Sequence, residues 1–346
     1  MALGDLYCGM SKLLLMAALV AAAMAKVTMA ASTMEERHSK WMAEHGRTYR
    51  DAAEKARRFR AFKANVELID RSNAAAGKRY RLATNRFTDL TNAEFAAIYT
   101  GYKPSTMPPS SSGAVTFMYA NATLSSEDQQ PAVDWRQQGA VTGVKNQGPC
   151  GCCWAFSTVA AVEGIHQITT GELVSLSEQQ LLDCSDNGGC SGGSLDKAFQ
   201  YMANSGGVTT EDAYPYQAQQ GTCQFDGTSA VAAATISGDP RVNPNDEAAL
   251  AAAVANQPVS VAIEGSSPLF QHYSSGVFTA DSCGTTLNHA VTMVGYGAAA
   301  DGSAYWLIKN SWGATWGEGG YMKLEKDVGS SQGACGVAMA PSYPVV

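Results

Sequence analysis

The sequence predicts an α+β protein, in which a helical N-terminal part leads into a body that is helical first and β-rich afterwards. Three observations carry this. Between Asp51 and Ala76 the apolar residues Phe59, Phe62, Val66 and Ile69 recur at three- and four-residue steps with no Pro or Gly between them, the period of an amphipathic helix. From Pro258 onward come the short β-rich runs PVSVAIE, HAVTMVGYG, AYWLIKNSW and GYMKLEK, bounded by Gly, Pro, Asp and Asn, which argue for an antiparallel sheet or barrel. Near Pro131 the composition shifts, and beyond it lie eight of the nine cysteines and five of the six tryptophans.

The elements follow in order. Lys12 precedes an apolar run from Leu13 to Ala25 that ends in small residues, so residues 1–25 read as a signal peptide, too short to span a bilayer. A start at Met10 fits that role better than the first nine residues do. Residues 33–101 form a charged segment with a helix from Met34 to Glu44, the long helix stopped at Gly77, a strand and turn in RLATNRFTDL, and a helix in TNAEFAAIY with Thr91 and Glu94 as a capping box. Residues 102–130 are rich in Pro, Ser, Thr and Gly and read as an exposed linker open to cleavage. The body, 131–346, opens with helices over Cys153–Thr169, Ser177–Cys184 and Leu195–Asn204. A length of 346 residues suits two to three domains, 45% apolar residues supply a core, and a net charge of −7 gives no electrostatic basis for a nucleic-acid partner; no metal or cofactor is expected.

The chemistry gathers at NQGPCGCCWAF. A Gly-rich loop feeding a helix at Cys153 puts that sulfur among unpaired N–H groups at the positive end of the helix, where a thiolate is favoured. His289 in LNHAV supplies an imidazole partner, Asn310 in KNSWG an oxygen to fix its tautomer, and Trp312 a cover over that hydrogen bond. Gln147 and the Cys153 N–H form an oxyanion-binding pair. Cys150, Cys152, Cys153 and His289 include zinc-ligand types, but C-x-C-C is not a common zinc spacing. His38, His45, His166 and His272 have no partner motif and read as surface or packing residues.

These motifs, with CSGG at Cys190–Gly193, NHA and NSWGATWGEGGY, resemble the papain-family cysteine proteases, in particular precursors of the plant vacuolar or senescence type. The pro segment matches separately. Glu54, Arg58, Phe62, Asn65, Ile69 and Asn73 follow the inhibitory helix motif E-x3-R-x3-F-x2-N-x3-I-x3-N, with a Glu54–Arg58 ion pair expected. Asn85, Phe87 and Asp89 follow a second motif, in which Ala83 replaces a glycine. The resemblance implies a papain-like two-domain fold, with a helical left domain, an antiparallel β-barrel-like right domain and a helical inhibitory pro domain. It implies bridges Cys150–Cys190, Cys184–Cys223 and Cys283–Cys335, with Cys153 as nucleophile. Cys8 then leaves with the signal and Cys152 stands where the family carries a small residue. Cys152 is either a small buried hydrophobe or a spare thiol able to capture an oxidised nucleophile.

Substrate contacts implied in the same way are Gly192, Gly193 and Trp312 in the cleft and Ser194, Leu195, Ala262, Leu287, Ala290 and Ala340 in a second subsite. An uncharged subsite predicts a hydrophobic residue at P2 and poor acceptance of Arg. The expected function is an endopeptidase made as a zymogen and active at acidic pH, preferred over an exopeptidase, a transpeptidase or a silent binding protein on the same scaffold. Its expected partners are protein and peptide substrates, its own pro domain and cystatin-type inhibitors; the expected state is a monomer in a vacuole-like compartment or outside the cell. Asn121 heads a glycosylation sequon within the linker. Charge adds an expectation: residues 26–130 carry 16 basic against 11 acidic residues, and residues 131–346 carry 7 against 19. A basic pro segment on an acidic body is held at neutral pH and released by acid.

Overall fold

The computed structural model describes residues 33–105, 118–119, 132–225, 232–238 and 241–346. The signal peptide, Cys8, most of the linker, Asn121 and Pro131 lie outside the described residues. Two compact units divide at Phe59 and Arg60.

In the first unit, α1 (Met34–Glu44) starts at a capping box in which Thr33 and Glu36 each satisfy the other's backbone N–H. His38 is buried there, its ring 5.2 Å from that of Phe59. The ion pair the structure gives Glu54 is with Arg50, four residues earlier, at 3.0 Å. Arg50 precedes α2 (Ala52–Ala74), and Glu54 lies in its first turn.

The second unit holds the rest of α2 and everything after it. Phe62, Asn65, Val66 and Ile69 form the buried stripe of α2. Asn65 donates to the carbonyls of Thr88 and Leu90, and Asn73 both donates to and accepts from the backbone of Leu82, so these two side chains clamp the following turn onto the helix. Ala83, in place of a glycine, is exposed and not at positive φ, so its methyl meets no obstacle. Asn85 donates to Gln271 O and accepts from Phe87 N, and Phe87 is fully buried. Thr91 and Glu94 make the second capping box, at the start of α3 (Asn92–Tyr99).

The body contributes the helices α4 (Cys153–Thr170), α5 (Glu178–Cys184) and α6 (Leu195–Asn204), then α7 (Glu247–Asn256) and the single turn α8 (Pro268–Gln271). Seven strands form one sheet: β1 (Tyr80–Leu82), β2 (Val133–Asp134), β3 (Val259–Ile263), β4 (Tyr273–Phe278), β5 (His289–Ala298), β6 (Ala304–Lys309) and β7 (Tyr321–Glu325), in the order β1-β4-β7-β6-β5-β2, with β3 also on β5. The pairs are antiparallel except β4 with β7, a departure from the antiparallel expectation. β1 belongs to the pro segment and extends the body's sheet at Tyr80↔Gly276. β5 is buried from His289 to Gly297 and packs under α4, which sets His289 beside the N-terminus of that helix. The structure joins Cys150 to Cys190, Cys184 to Cys223 and Cys283 to Cys335.

Candidate active site

Cys153 is the first residue of α4. Cys152 occupies the cap position without a side-chain hydrogen bond to the helix, so it does not compete there for the helix's first N–H groups. The approach loop is pinned by the Cys150–Cys190 bridge and by Gly151 N donating to Cys190 O at 3.0 Å. Cys153 Sγ accepts from Ala290 N at 3.4 Å, which places the sulfur against the residue following His289.

His289 Nε2 meets Asn310 Oδ1 at 2.9 Å, and Ser311 N also donates to that oxygen at 2.8 Å. Trp312 stacks on the imidazole with ring centroids 4.5 Å apart, and it is fully buried. His289 Nδ1 is buried and has no hydrogen-bond partner among the described residues. Gln147 is oriented through its Oε1, which accepts from Ser311 Oγ at 2.6 Å, while its Nε2 donates to Cys150 O at 2.8 Å.

The pro segment lies across these groups. After α3 the chain from Tyr99 to Lys103 forms a strap, where an exposed linker was expected to begin at Tyr102. Gly101 N and Tyr102 N both donate to Asn288 O at 2.9 Å, Gly193 N donates to Gly101 O at 2.9 Å, and Lys103 N donates to Gly193 O at 2.8 Å. The bridge between Tyr102 and Gly193 is parallel. Tyr99 O accepts from Gln147 Nε2 at 3.3 Å and from Trp312 Nε1 at 3.2 Å. The strap's carbonyl thus takes up the donor named for an oxyanion. Phe87 and Phe95 meet the edge of Trp312 at centroid distances of 5.8 and 5.0 Å, so the pro segment is seated on the ring that covers His289.

Burial under this strap sets the protonation states. It pushes the Cys153 thiol up to about 12, against the lowering effect of N–H groups of Ala290, Trp154, Gly101 and Cys153 itself. It pushes His289 down to about 4, against the Asn310 hydrogen bond. At neutral pH the latent site therefore holds a thiol and a neutral imidazole.

The residues expected in a second subsite lie near one another. Leu195, Ala262 and Ala290 are buried in one apolar cluster with Leu287 and Ala340 at its margin, and Tyr102 of the strap belongs to the same cluster. Ser194 caps α6 and is fixed by Asn187 through its N–H and its carbonyl. Gly192 and Gly193 line the strap's path, and a Cβ on Gly192 would stand 2.6 Å from Gly101 O. Cys152 is buried, with Sγ 2.9 Å from the Tyr216 hydroxyl, which in turn donates to Gln147 O at 2.6 Å. Burial pushes this second thiol up as well.

Sequence reasoning missed several supporting residues. Ser311 and Asn288 are neighbours in the chain of Asn310 and His289, and that adjacency was the available signal. Tyr216 lies in an irregular segment without any motif. Lys145 is two residues before Gln147 and reaches Glu178 at 2.8 Å and Glu163 at 3.0 Å. Burial acts to lower this lysine, but the two carboxylates override it and hold it above its ordinary range.

The chain is similar to known proteins along most of its length. Residues 130–345 match the papain family cysteine protease domain and residues 38–95 the cathepsin propeptide inhibitor domain. The chain is 52% identical over 315 residues to the senescence-specific cysteine protease SAG12 of Arabidopsis thaliana, covering 90% of each. It is 50% identical over 354 residues to cysteine proteinase EP-B 1 of Hordeum vulgare, covering 97% of this chain and 94% of the other. Among solved structures it is similar to a recombinant stem bromelain precursor, at 44% identity and a TM-score of 0.81, covering 90% of this chain and 99% of that one. The chain therefore belongs to the papain family of cysteine proteases, as a peptide hydrolase made in a proform with an inhibitory pro domain.

Proposed function

We propose that this protease is an endopeptidase whose Cys153 and His289 act as a thiolate–imidazolium pair once the strap has left. The observation that carries the reading is the hold on His289: Nε2 is fixed by Asn310 and one face is covered by Trp312, while Nδ1 is left unpaired on a ring adjoining the residue that contacts Cys153 Sγ. Removing the strap admits water and ends the burial that keeps both groups neutral, so the proton passes from sulfur to imidazole.

Cys153 Sγ then attacks the peptide carbonyl carbon, and the oxyanion takes the place of Tyr99 O at Gln147 Nε2, beside the N–H of Cys153. His289 gives its proton to the departing amine, leaving a thioester. Water, deprotonated by His289, attacks the thioester, the acyl group leaves as a carboxylic acid, and the thiolate–imidazolium pair is restored. Asn310 keeps the ring in one orientation throughout.

The apolar cluster around Tyr102 supports a hydrophobic P2 side chain. Each buried methylene there contributes about 0.8 kcal/mol. Two ion pairs between pro segment and body, Lys78–Asp281 and Arg79–Glu325, support acid release of the pro domain and activity in an acidic compartment of the secretory route, where the three disulfides persist. Cystatin-type inhibitors as outside partners and a monomeric state belong to the same reading. The test is acid-activated protein assayed on peptides that vary at P2. Alkylation of Cys153 by an epoxide should abolish turnover, and Leu, Val or Phe at P2 should outrun Arg. Activity retained by Cys153→Ala, or equal kcat/KM for Arg and Leu, would contradict it.

A further inference from the structure

Tyr216 has no part in the scheme above, yet it reaches toward both arms of the oxyanion-binding pair. Its ring stands edge-on against Phe156, near the start of α4, with centroids 4.9 Å apart. Its hydroxyl donates to Gln147 O at 2.6 Å and lies 2.9 Å from Cys152 Sγ. A phenol has one proton, and a carbonyl oxygen can only accept it, so the Tyr216 proton is committed to Gln147. The Cys152 thiol is then the donor to the Tyr216 oxygen. Burial pushes both groups up, so each keeps its proton through the pH range of a working protease.

The result is a run of hydrogen bonds from Cys152 through Tyr216 to Gln147, whose ends adjoin the two oxyanion donors. One end is the backbone of Gln147, whose side chain carries Nε2. The other end is Cys152, which shares a peptide unit with the Cys153 N–H. Ser311 holds Gln147 from the strand side, through its O, which accepts from Gln147 N at 2.8 Å, and its Oγ, which donates to Gln147 Oε1 at 2.6 Å. Tyr216 holds it from the helical side. The segment that carries Tyr216 is itself anchored: Tyr216 N donates to Glu211 Oε1 at 3.0 Å, Gln217 N to Gln179 Oε1 at 2.9 Å, and Gln179 Nε2 to Gln219 O at 2.8 Å. Gln179 lies in α5, and the Cys184–Cys223 bridge closes the same segment at its far end. The hydroxyl is therefore offered from a fixed frame, which is what a positioning group needs.

We propose that Tyr216 is a positioning residue for the oxyanion-binding pair, setting the spacing of Gln147 and the Cys153 N–H, with the Cys152 thiol as the donor that completes its hydrogen bonding. The proposal rests on the assignment of Gln147 and that N–H to the oxyanion. An apolar side chain at position 152 would leave the phenol oxygen short of one partner. All these groups lie in the body, so the run persists after the pro segment has gone.

The test uses enzyme activated from the full chain and counted by epoxide titration, so that misfolded molecules do not enter kcat. Tyr216→Phe should lower kcat on a peptide substrate about tenfold and leave KM within about twofold, because an oxyanion forms in both the attack and the hydrolysis steps but not on binding. Alkylation of Cys153 by iodoacetamide forms no oxyanion and should keep its wild-type rate, whereas a merely structural role would slow alkylation along with turnover. Cys152→Ala should lower kcat about three- to fivefold, and Cys152→Ser, which returns a donor, should recover most of that loss. Gln147→Ala should lower kcat about 100-fold. Wild-type kcat in Tyr216→Phe, alkylation that falls in step with kcat, or Cys152→Ser no better than Cys152→Ala would each overturn the proposal while the Gln147 loss keeps the oxyanion assignment standing. If Gln147→Ala itself keeps wild-type kcat, that assignment fails and takes this proposal with it.

Discussion

Gly101→Ala should open the latent enzyme. A Cβ at Gly101 would stand 2.0 Å from Gly151 O and 2.8 Å from Gly151 Cα, short of ordinary contact by about 1 Å or more. The Gly151 loop has little freedom to withdraw, because its neighbour Cys150 is bridged to Cys190 and Gly151 N is bonded to Cys190 O. The strap must lift instead, straining the hydrogen bonds of Gly101 and Tyr102 to Asn288 and of Gly193 to Gly101. Overpacking of this kind costs about 1–3 kcal/mol, and each backbone hydrogen bond weakened adds a fraction of about 1 kcal/mol. A cost of about 2–3 kcal/mol on the seated strap makes its open form about 30- to 150-fold more populated. The assay is the rate at which iodoacetamide labels Cys153 in full-length proenzyme near neutral pH, read by mass spectrometry in the first minutes. The melting temperature of the proenzyme serves as the check on folding. Labelling at the wild-type rate in a well-folded Gly101→Ala proenzyme would refute the reasoning.

Other outcomes follow from the same contacts. The Asp281 carboxyl is held below its ordinary range chiefly by the Thr279 hydroxyl of the body, with Lys78 of the pro segment adding to it; only the Lys78 share holds the pro segment, and that share is lost as pH falls through the lowered value. Asp281→Asn combined with Glu325→Gln should therefore speed Cys153 labelling a few-fold at pH 7, since partly exposed pairs give about 0.2–1 kcal/mol each, and flatten its rise toward pH 4; an unchanged profile would exclude the electrostatic hold. With burial keeping His289 down to about 4, its ring should stay neutral in the proenzyme from pH 5 to 8, and an imidazolium signal in the nitrogen NMR spectrum at pH 6 would contradict this. Asn310→Ala should lower kcat about tenfold or more with little change in KM, because it loosens the base and not the substrate; a change confined to KM would argue otherwise. Cys152→Ser should leave peroxide inactivation at the wild-type rate, since that thiol is buried against Tyr216; a faster irreversible loss in the variant would restore a redox role.

Local signals were legible where they were strong. The box at Thr91 and Glu94 starts α3 where the spacing put it, and the apolar steps of the long helix became the buried stripe of α2. α7 was not foreseen, because EAALAAAVAN has almost no polar residues to set against its apolar ones, and a helix that is apolar nearly all round shows no amphipathic period. β4, YSSGVF, has weak strand propensity and owes its conformation to pairing with β1 and β7 on either side. In the site, residues within motifs could be named from their neighbours. The contact of Tyr216 with Gln147 and the docking of Tyr102 on Gly193 join residues tens of positions apart, and no local pattern encodes them. Composition changes at Tyr102, but the chain leaves the cleft after it and not before.

The pairing of β1 with β4 has a consequence for the finished enzyme. While the pro segment is present, Val277 N donates to Arg79 O and Tyr80 lies opposite Gly276, so that margin of the sheet is closed. Cutting the pro segment away leaves β4 paired on its β7 side alone, with a row of backbone donors and acceptors turned to water and open to any extended chain. The left-handed backbone at Gly276, φ +85°, bends this margin and shortens the straight stretch on which a second molecule can align. Maturation therefore opens one margin of the sheet, and the bend at Gly276 limits how far another chain can pair along it.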